Sequence, residues 1–205
     1  SSDNQTNYCE WATPEGEAVC RSILDLVATG GFVADSTSSL GEAAKQGTVV
    51  AFVDGTWDSS IAMEAYGDNY ACAKLPTYNV NGKAVQMSSF AGYKFIGVNP
   101  YSKNVGWAME LAQFMINEES QILRFKSNGD GPANTKAAAS PEVLANPAIA
   151  ALAAQSAYAT VQRVGGQYWS PAATLGTILS QGNPNGTPLS ELLATVVAGI
   201  TAPVV

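Results

Sequence analysis

Residues 43–63 read AAKQGTVVAFVDGTWDSSIAM. The stretch leaves the tail of an alanine-rich helix, passes through a Gly turn into the β-branched and aromatic run Thr48–Val53, and exits through Asp54-Gly55 into a second helical pattern. A buried strand closed by an Asp-Gly turn, with a helix on either side, points to an α/β domain in which helices cover a sheet. Trp57 stands at the junction, directly after "DGT". In open α/β sheets ligands are received at the carboxyl ends of strands, so this tryptophan is a candidate ligand contact; its other reading is a plug over the core.

The same alternation extends in both directions. Upstream, TPEGEAVCRSILDLVATGG is a well-signed helix, with Thr13 as N-cap, Pro14 at its first position, Glu15 and Glu17 in the first turn, and Gly30 as stop. Val19, Ile23 and Val27 recur four apart along it, which gives it one apolar face. SSLGEAAKQG reads as a short capped helix. Downstream, NYACAKLP and YKFIGVN read as short strands, and NVNGKAV as a hairpin, because Asn-Gly between apolar residues suits a type I′ turn. Two helices follow, SKNVGWAMELAQFMIN and EESQILRFKSNG, with Trp107 expected to pack inside the first. After the Gly, Pro and Asn-rich break SNGDGPANTKAAAS, the chain from Ser140 is mostly helical, and the last helix is signed by Thr187, Pro188 and Glu191.

Composition removes several classes of function. The 205 residues are 46% apolar and 13% charged, which is an ordered chain with enough apolar surface for a sizeable core. Ten basic against seventeen acidic residues give a net charge of −7, the wrong sign for phosphate backbones, so nucleic acid is not an expected partner. No apolar run reaches the ~20 residues of a membrane span. The chain opens on the polar SSDNQTN instead of a signal-peptide pattern, so a preceding segment is expected to have been removed.

Catalytic patterns are scarce. Histidine is absent, which removes the usual general base and the commonest metal ligand. No GxSxG, SxxK or phosphate-binding Gly loop occurs. Asp54, Asp58 and Glu64 around Trp57 are candidates for a glycoside-type acid and base, although acids at a helix start more often cap and solvate it. Neither a cofactor nor an enzymatic activity is expected. Cys9, Cys20 and Cys72 form no CxxC spacing; Cys9 and Cys20 can bridge a short loop in an oxidising compartment, or remain small buried thiols.

Aromatic residues carry the stronger signal. In RVGGQYWSPAATLGTIL (163–179), Tyr168 and Trp169 follow Gly165-Gly166 at the lip of a helix, where the missing side chains let another surface approach the rings. Packing and ligand binding both fit that placement. Trp11, just before the first helix cap, is placed for a hydrophobic staple.

The ordered series AAKQGTVVAFVDGTWDSSIAM, YACAKLP, VQMSSFAGYKFIGVNPYSKNVGWAMELAQFMINEES, NPAIAALAAQSAYA and GGQYWSPAATLGTIL resembles the second half of extracellular solute-binding proteins of the maltose-binding type. These are the receptors of sugar-importing ABC transporters. The resemblance implies a type II periplasmic-binding-protein-like α/β fold, the C-terminal half of a two-lobed receptor that traps sugar by hinge closure. It further implies a division into 1–92 and 132–205, belonging to the C-terminal lobe, and 93–131, which packs on the N-terminal lobe.

By the same resemblance, Trp57 and Trp169 face the sugar cleft, and Trp169 stacks under a glucosyl ring. A pyranose presents a flat array of C–H groups that an indole covers well, while its hydroxyls take in-plane polar partners. Tyr168, Gln167, Asp54, Asp58, Ser89 and Phe90 are the further expected ligand contacts. Ser170 stands where the family carries a second aromatic. The implied ligand is a maltose or maltodextrin-type oligosaccharide. The implied partners are ABC permease subunits and the N-terminal half of the same receptor, and the implied location is the cell envelope, as a membrane-anchored lipoprotein. A carbohydrate-active enzyme and a non-catalytic interaction module are the rival readings of the same aromatics.

Overall fold

The computed structural model of the chain describes residues 7–35 and 37–203. In chain order its elements are α1 (Pro14–Ala28), α2 (Thr37–Lys45), a 3-10 turn (Thr56–Asp58), α3 (Ser59–Tyr66), a second 3-10 turn (Gly67–Asn69), β1 (Thr77–Val80), β2 (Lys83–Gln86) and β3 (Ser89–Ala91). They continue with α4 (Val105–Ile116), α5 (Glu118–Asn128), α6 (Thr135–Ala138), α7 (Pro141–Leu144), α8 (Pro147–Ser156), β4 (Ala159–Val161), a third 3-10 turn (Gly166–Tyr168), α9 (Trp169–Ser180) and α10 (Leu189–Ile200). The described residues divide into two units. One holds 7–35, 76–87 and 162–203, the other 37–75 and 88–161. The segments 1–92, 93–131 and 132–205 are a division of another kind, the one the family resemblance implies for packing between two lobes.

The first unit is built on α1, α9 and α10. Thr13 caps α1 as its sequence requires: the side-chain oxygen accepts from the Gly16 N–H at 3.1 Å, and Pro14 follows at the first helical position. Gly30, at φ +76°, ends the turn beyond α1 in the left-handed region. Cys20 of α1, Leu175 and Leu179 of α9, and Leu193, Val196 and Ile200 of α10 form the core, with Cys9, Ile23 and Tyr168 packed against it. Helices α9 and α10 approach closely because Gly199 has no Cβ; one placed there would lie 2.7 Å from the Pro171 ring. The β1–β2 pair is the expected hairpin, antiparallel with Val80 opposite Lys83. Asn81 (φ 52°) and Gly82 (φ 80°) form its turn, and the Gly82 N–H donates to the Asn79 side chain at 2.9 Å. Thr187 does not cap α10. Its N–H and carbonyl are both held by Asn183, at 3.2 and 2.8 Å, so the helix begins after Pro188 without a side-chain cap.

In the second unit α2 packs on α3 through Gly41, which lies against Ile61, and Lys45 bridges to Glu64 at 2.9 Å. Asn117, Asn134 and Asn146 cap α5, α6 and α8, each accepting backbone N–H bonds through its side-chain oxygen. Strands β3 and β4 pair in parallel, Phe90 opposite Thr160.

Three expected strands are not formed. None of residues 48–55, 69–76 and 93–99 belongs to a strand ladder among the described residues, and without a neighbouring strand there is no ladder hydrogen bonding to define one. Val50 is 90% exposed and Phe95 89%, so neither run is buried. Residues 70–76 are held by side chains instead: the Leu75 N–H donates to Gln155, and the Lys74 ammonium lies 4.7 Å above the Tyr158 ring. The expectation for Trp107 is overturned in the same way. It is 79% exposed, and α4, which packs on α5, has no buried residue of its own. Helix α4 also carries Met109, Leu111, Phe114 and Met115 as an exposed apolar stripe, which the described residues do not cover. Cys9 and Cys20 are free thiols, unbridged, both set against the core of the first unit.

Candidate functional site

The segment after the run 49–53 closes as a 3-10 turn that passes directly into α3, and this geometry presents Trp57. The Asp54 carboxylate accepts from the Gly55 N–H at 2.6 Å, and the Asp58 N–H donates to the Gly55 carbonyl at 3.2 Å. The indole folds back over Gly55: a Cβ there would run into its six-membered ring. Trp57 is nonetheless 61% exposed. Beneath the turn, Ser59 is buried, and Gly129, the left-handed cap of α5 at φ +76°, fits against its hydroxyl, where a Cβ would lie at 2.9 Å. Helix α8 also packs on the turn. The tryptophan is therefore carried on a supported platform and is not a plug in the core.

Asp54 and Asp58 lie on either side of Trp57 in sequence, close enough for the Asp58 carboxylate to act on Asp54. Desolvation is the largest influence on Asp54 and raises its pKa; the Asp58 charge adds to the rise, and the Gly55 N–H opposes it. Glu64 is not part of this pair, since it is bonded to Lys45.

Ser89 and Phe90 sit on β3 in the same unit. The Ser89 hydroxyl accepts from the Gln155 side-chain amide at 3.3 Å, and Phe90 is exposed. Gln155 is a residue that sequence reasoning did not single out. It is buried at the end of α8 and joins the Leu75 N–H (3.1 Å) to Ser89. Its one sequence signal is a lone amide in the otherwise apolar run AALAAQS.

Gln167, Tyr168 and Trp169 belong to the first unit. The third 3-10 turn brings Tyr168 against the core, and Trp169 opens α9 at 49% exposed. The Tyr168 and Trp169 rings meet edge-on, centroids 5.1 Å apart and planes at 83°. Trp11 meets Tyr168 in the same manner, at 5.8 Å and 81°. Trp11 thus finds a partner in a distant segment of chain. Gly166 faces open space, so no neighbouring atom requires a glycine there. Burial raises the Tyr168 pKa, which keeps the phenol neutral.

The eight expected contacts therefore form two groups. Asp54, Trp57, Asp58, Ser89 and Phe90 lie in one unit, and Gln167, Tyr168 and Trp169 in the other. Two wide-open surface depressions, along α2 at Ser39, Glu42, Ala43 and Gln46 and at the start of α4 around Lys103–Trp107, include neither Trp57 nor Trp169. Among the described residues no group of three or more His, Cys, Asp or Glu side chains converges to hold a metal ion.

Comparison with known proteins adds family and fold. A family model for bacterial extracellular solute-binding proteins matches residues 2–151. A galactooligosaccharide-binding protein of Bacillus subtilis (strain 168) is 35% identical over 113 residues, 55% of this chain and 26% of that protein. A protein solved with acarbose is 31% identical, with a TM-score of 0.83 over 92% of this chain and 52% of its own. The chain spans about a quarter of the curated relative and about half of the solved one.

Proposed function

Because this chain belongs to the family of bacterial extracellular solute-binding proteins and has, in part, their type II α/β fold, we propose that it is part of an oligosaccharide receptor serving an ABC importer. The observation that carries the reading is Trp169, half exposed on a helix start and braced edge-on by Tyr168, which is itself seated on the core. A rigid, accessible indole face is what a pyranose stacks on, and stacking depends little on how the sugars are linked. Trp57 supplies a second exposed indole, with the Asp54 and Asp58 carboxylates beside it to accept from hydroxyls. Gln167 and the Ser89–Phe90 pair complete the proposed contacts.

The ligand we favour is a maltodextrin-type oligosaccharide. The relative named for galactooligosaccharide and the neighbour solved with acarbose support the oligosaccharide class, and the finer choice rests on the sequence resemblance. The second lobe is proposed to lie outside this segment and to cover the exposed stripe of α4, with residues 93–131 as the part that meets it. Permease subunits as partners, and a lipid anchor at the cell envelope, complete the proposal. Binding occurs without catalysis.

Titration calorimetry of the full-length receptor with maltotriose and with a galactotriose tests the reading. Micromolar or tighter binding of either, weakened at least about fivefold by Trp169→Ala, is expected for loss of a stacking face. Unchanged affinity in that variant removes Trp169 from the site. Release of glucose from maltotriose would overturn the binding-only reading.

A further inference from the structure

We infer that Trp11 is a positioning residue for the Trp169 face, acting through Tyr168; the inference rests on the reading of Trp169 as an oligosaccharide platform. The two edge-on contacts place the rings in series: Trp11 to Tyr168 at 5.8 Å and 81°, then Tyr168 to Trp169 at 5.1 Å and 83°. A T-shaped pair directs the electropositive edge of one ring at the face of another, and that preference restricts the angle between them. Tyr168 is held on the core cluster of α1, α9 and α10, so Trp11 has a fixed ring to act on.

Trp11 is itself anchored from both sides. Its carbonyl accepts from the Thr13 N–H at 2.8 Å, and Gly16 leaves room for that carbonyl, since a Cβ at residue 16 would collide with it. Four residues earlier, the Asn7 side-chain amide donates to the Ile200 carbonyl at 3.1 Å and lies against Gly165, the residue that opens the turn carrying Tyr168. Residues 7–11 therefore contact the third 3-10 turn at Gly165, which opens it, and at Tyr168, its last residue. Two observations separate this from ordinary core packing. Trp11 lies outside the buried core and keeps more than a third of its surface exposed, and its ring meets another aromatic ring edge-on. A residue so placed adds little to the core and much to the orientation of what it touches.

The test compares Trp11→Phe, Trp11→Leu and Trp11→Ala with Trp169→Ala in the full-length receptor, by maltotriose and galactotriose titration, thermal midpoint and near-ultraviolet circular dichroism. Trp11→Leu keeps an apolar side chain without a ring, so it remains informative if Trp11→Ala does not fold. Expected is a loss of affinity of about three- to tenfold in Trp11→Leu, the range for losing one oriented aromatic pair, with a diminished aromatic dichroism band. Trp11→Phe, which restores a ring edge, should return affinity to within about twofold of the parent. If Trp169→Ala weakens binding while Trp11→Leu and Trp11→Phe bind alike, the role of Trp11 is refuted and the platform stands. If Trp169→Ala has no effect, or neither sugar binds the parent, the platform reading fails and the inference falls with it.

Discussion

Trp57 lies over Gly55 so closely that residue 55 has no room for a side chain, although its backbone, at φ −89° and ψ 166°, is one that any residue adopts. The glycine is there for the ring and not for the chain. Gly55→Val is therefore expected to leave the fold intact and to displace the indole. The check is a shift of tryptophan emission in the free protein, with thermal midpoint lowered by no more than a few degrees. Oligosaccharide affinity should fall along with the displaced ring.

Gln155 is expected to matter for stability more than for binding. Its side chain joins the Leu75 N–H to the Ser89 hydroxyl in a buried position. Gln155→Leu removes both bonds and leaves the Leu75 N–H without this acceptor, at a cost of about 1–3 kcal/mol. Urea denaturation measures the loss. A variant as stable as the parent would show that water replaces the amide.

The pH dependence of the Trp57 turn follows from Asp54. Desolvation and the nearby Asp58 raise its pKa above the ordinary 3.8, so the folded state binds this proton more tightly than the unfolded chain. Its contribution to stability is thus most favourable at low pH and declines as pH rises from 3.8 through the folded-state value. Asp54 retains substantial solvent exposure, so the effect is small. Asp54→Asn should abolish that decline and raise stability at neutral pH, seen as a flatter curve of thermal midpoint against pH. Carboxyl chemical shifts locate the titration directly.

Thiol reactivity should separate the cysteines. Cys72 is exposed, whereas Cys20 is buried in the core and its pKa is raised, by burial first and by Glu17 second. Limited iodoacetamide at pH 8 is expected to alkylate Cys72 well before Cys20, with peptide mass spectrometry as the readout. Equal rates would mean that α1 opens on the timescale of labelling.

Local features were legible where neighbouring residues dictate them. The Thr13 cap, the Pro14 start and the Asn81-Gly82 turn are all as the sequence implies, because each is decided within a few residues. The runs 48–55 and 93–99 form no strand for the opposite reason: β-branched composition expresses a preference, but only a neighbouring strand makes a ladder, and composition cannot supply one. Trp107 is exposed against expectation because an apolar helix face looks the same in sequence whether or not something covers it. Trp57 and Trp169 stand at element junctions, as the sequence implies, and both are exposed; the role proposed for them rests on the family resemblance, which spacing leaves open. Gln155 and the contact of Trp11 with Tyr168 were out of reach, since both join residues remote in sequence.

The β1–β2 hairpin offers a practical handle. Its tip closes through its own Asn79 and a pair of left-handed residues, and β1 rests against α1, the helix that starts three positions after Trp11. A circularly permuted fluorescent protein spliced between Asn81 and Gly82 would be mounted at an exposed tip of the kind that tolerates insertion, mechanically linked to the helix next to the aromatic series. Such a chimera would turn occupancy of the proposed oligosaccharide site into brightness, giving a genetically encoded gauge of that ligand's concentration.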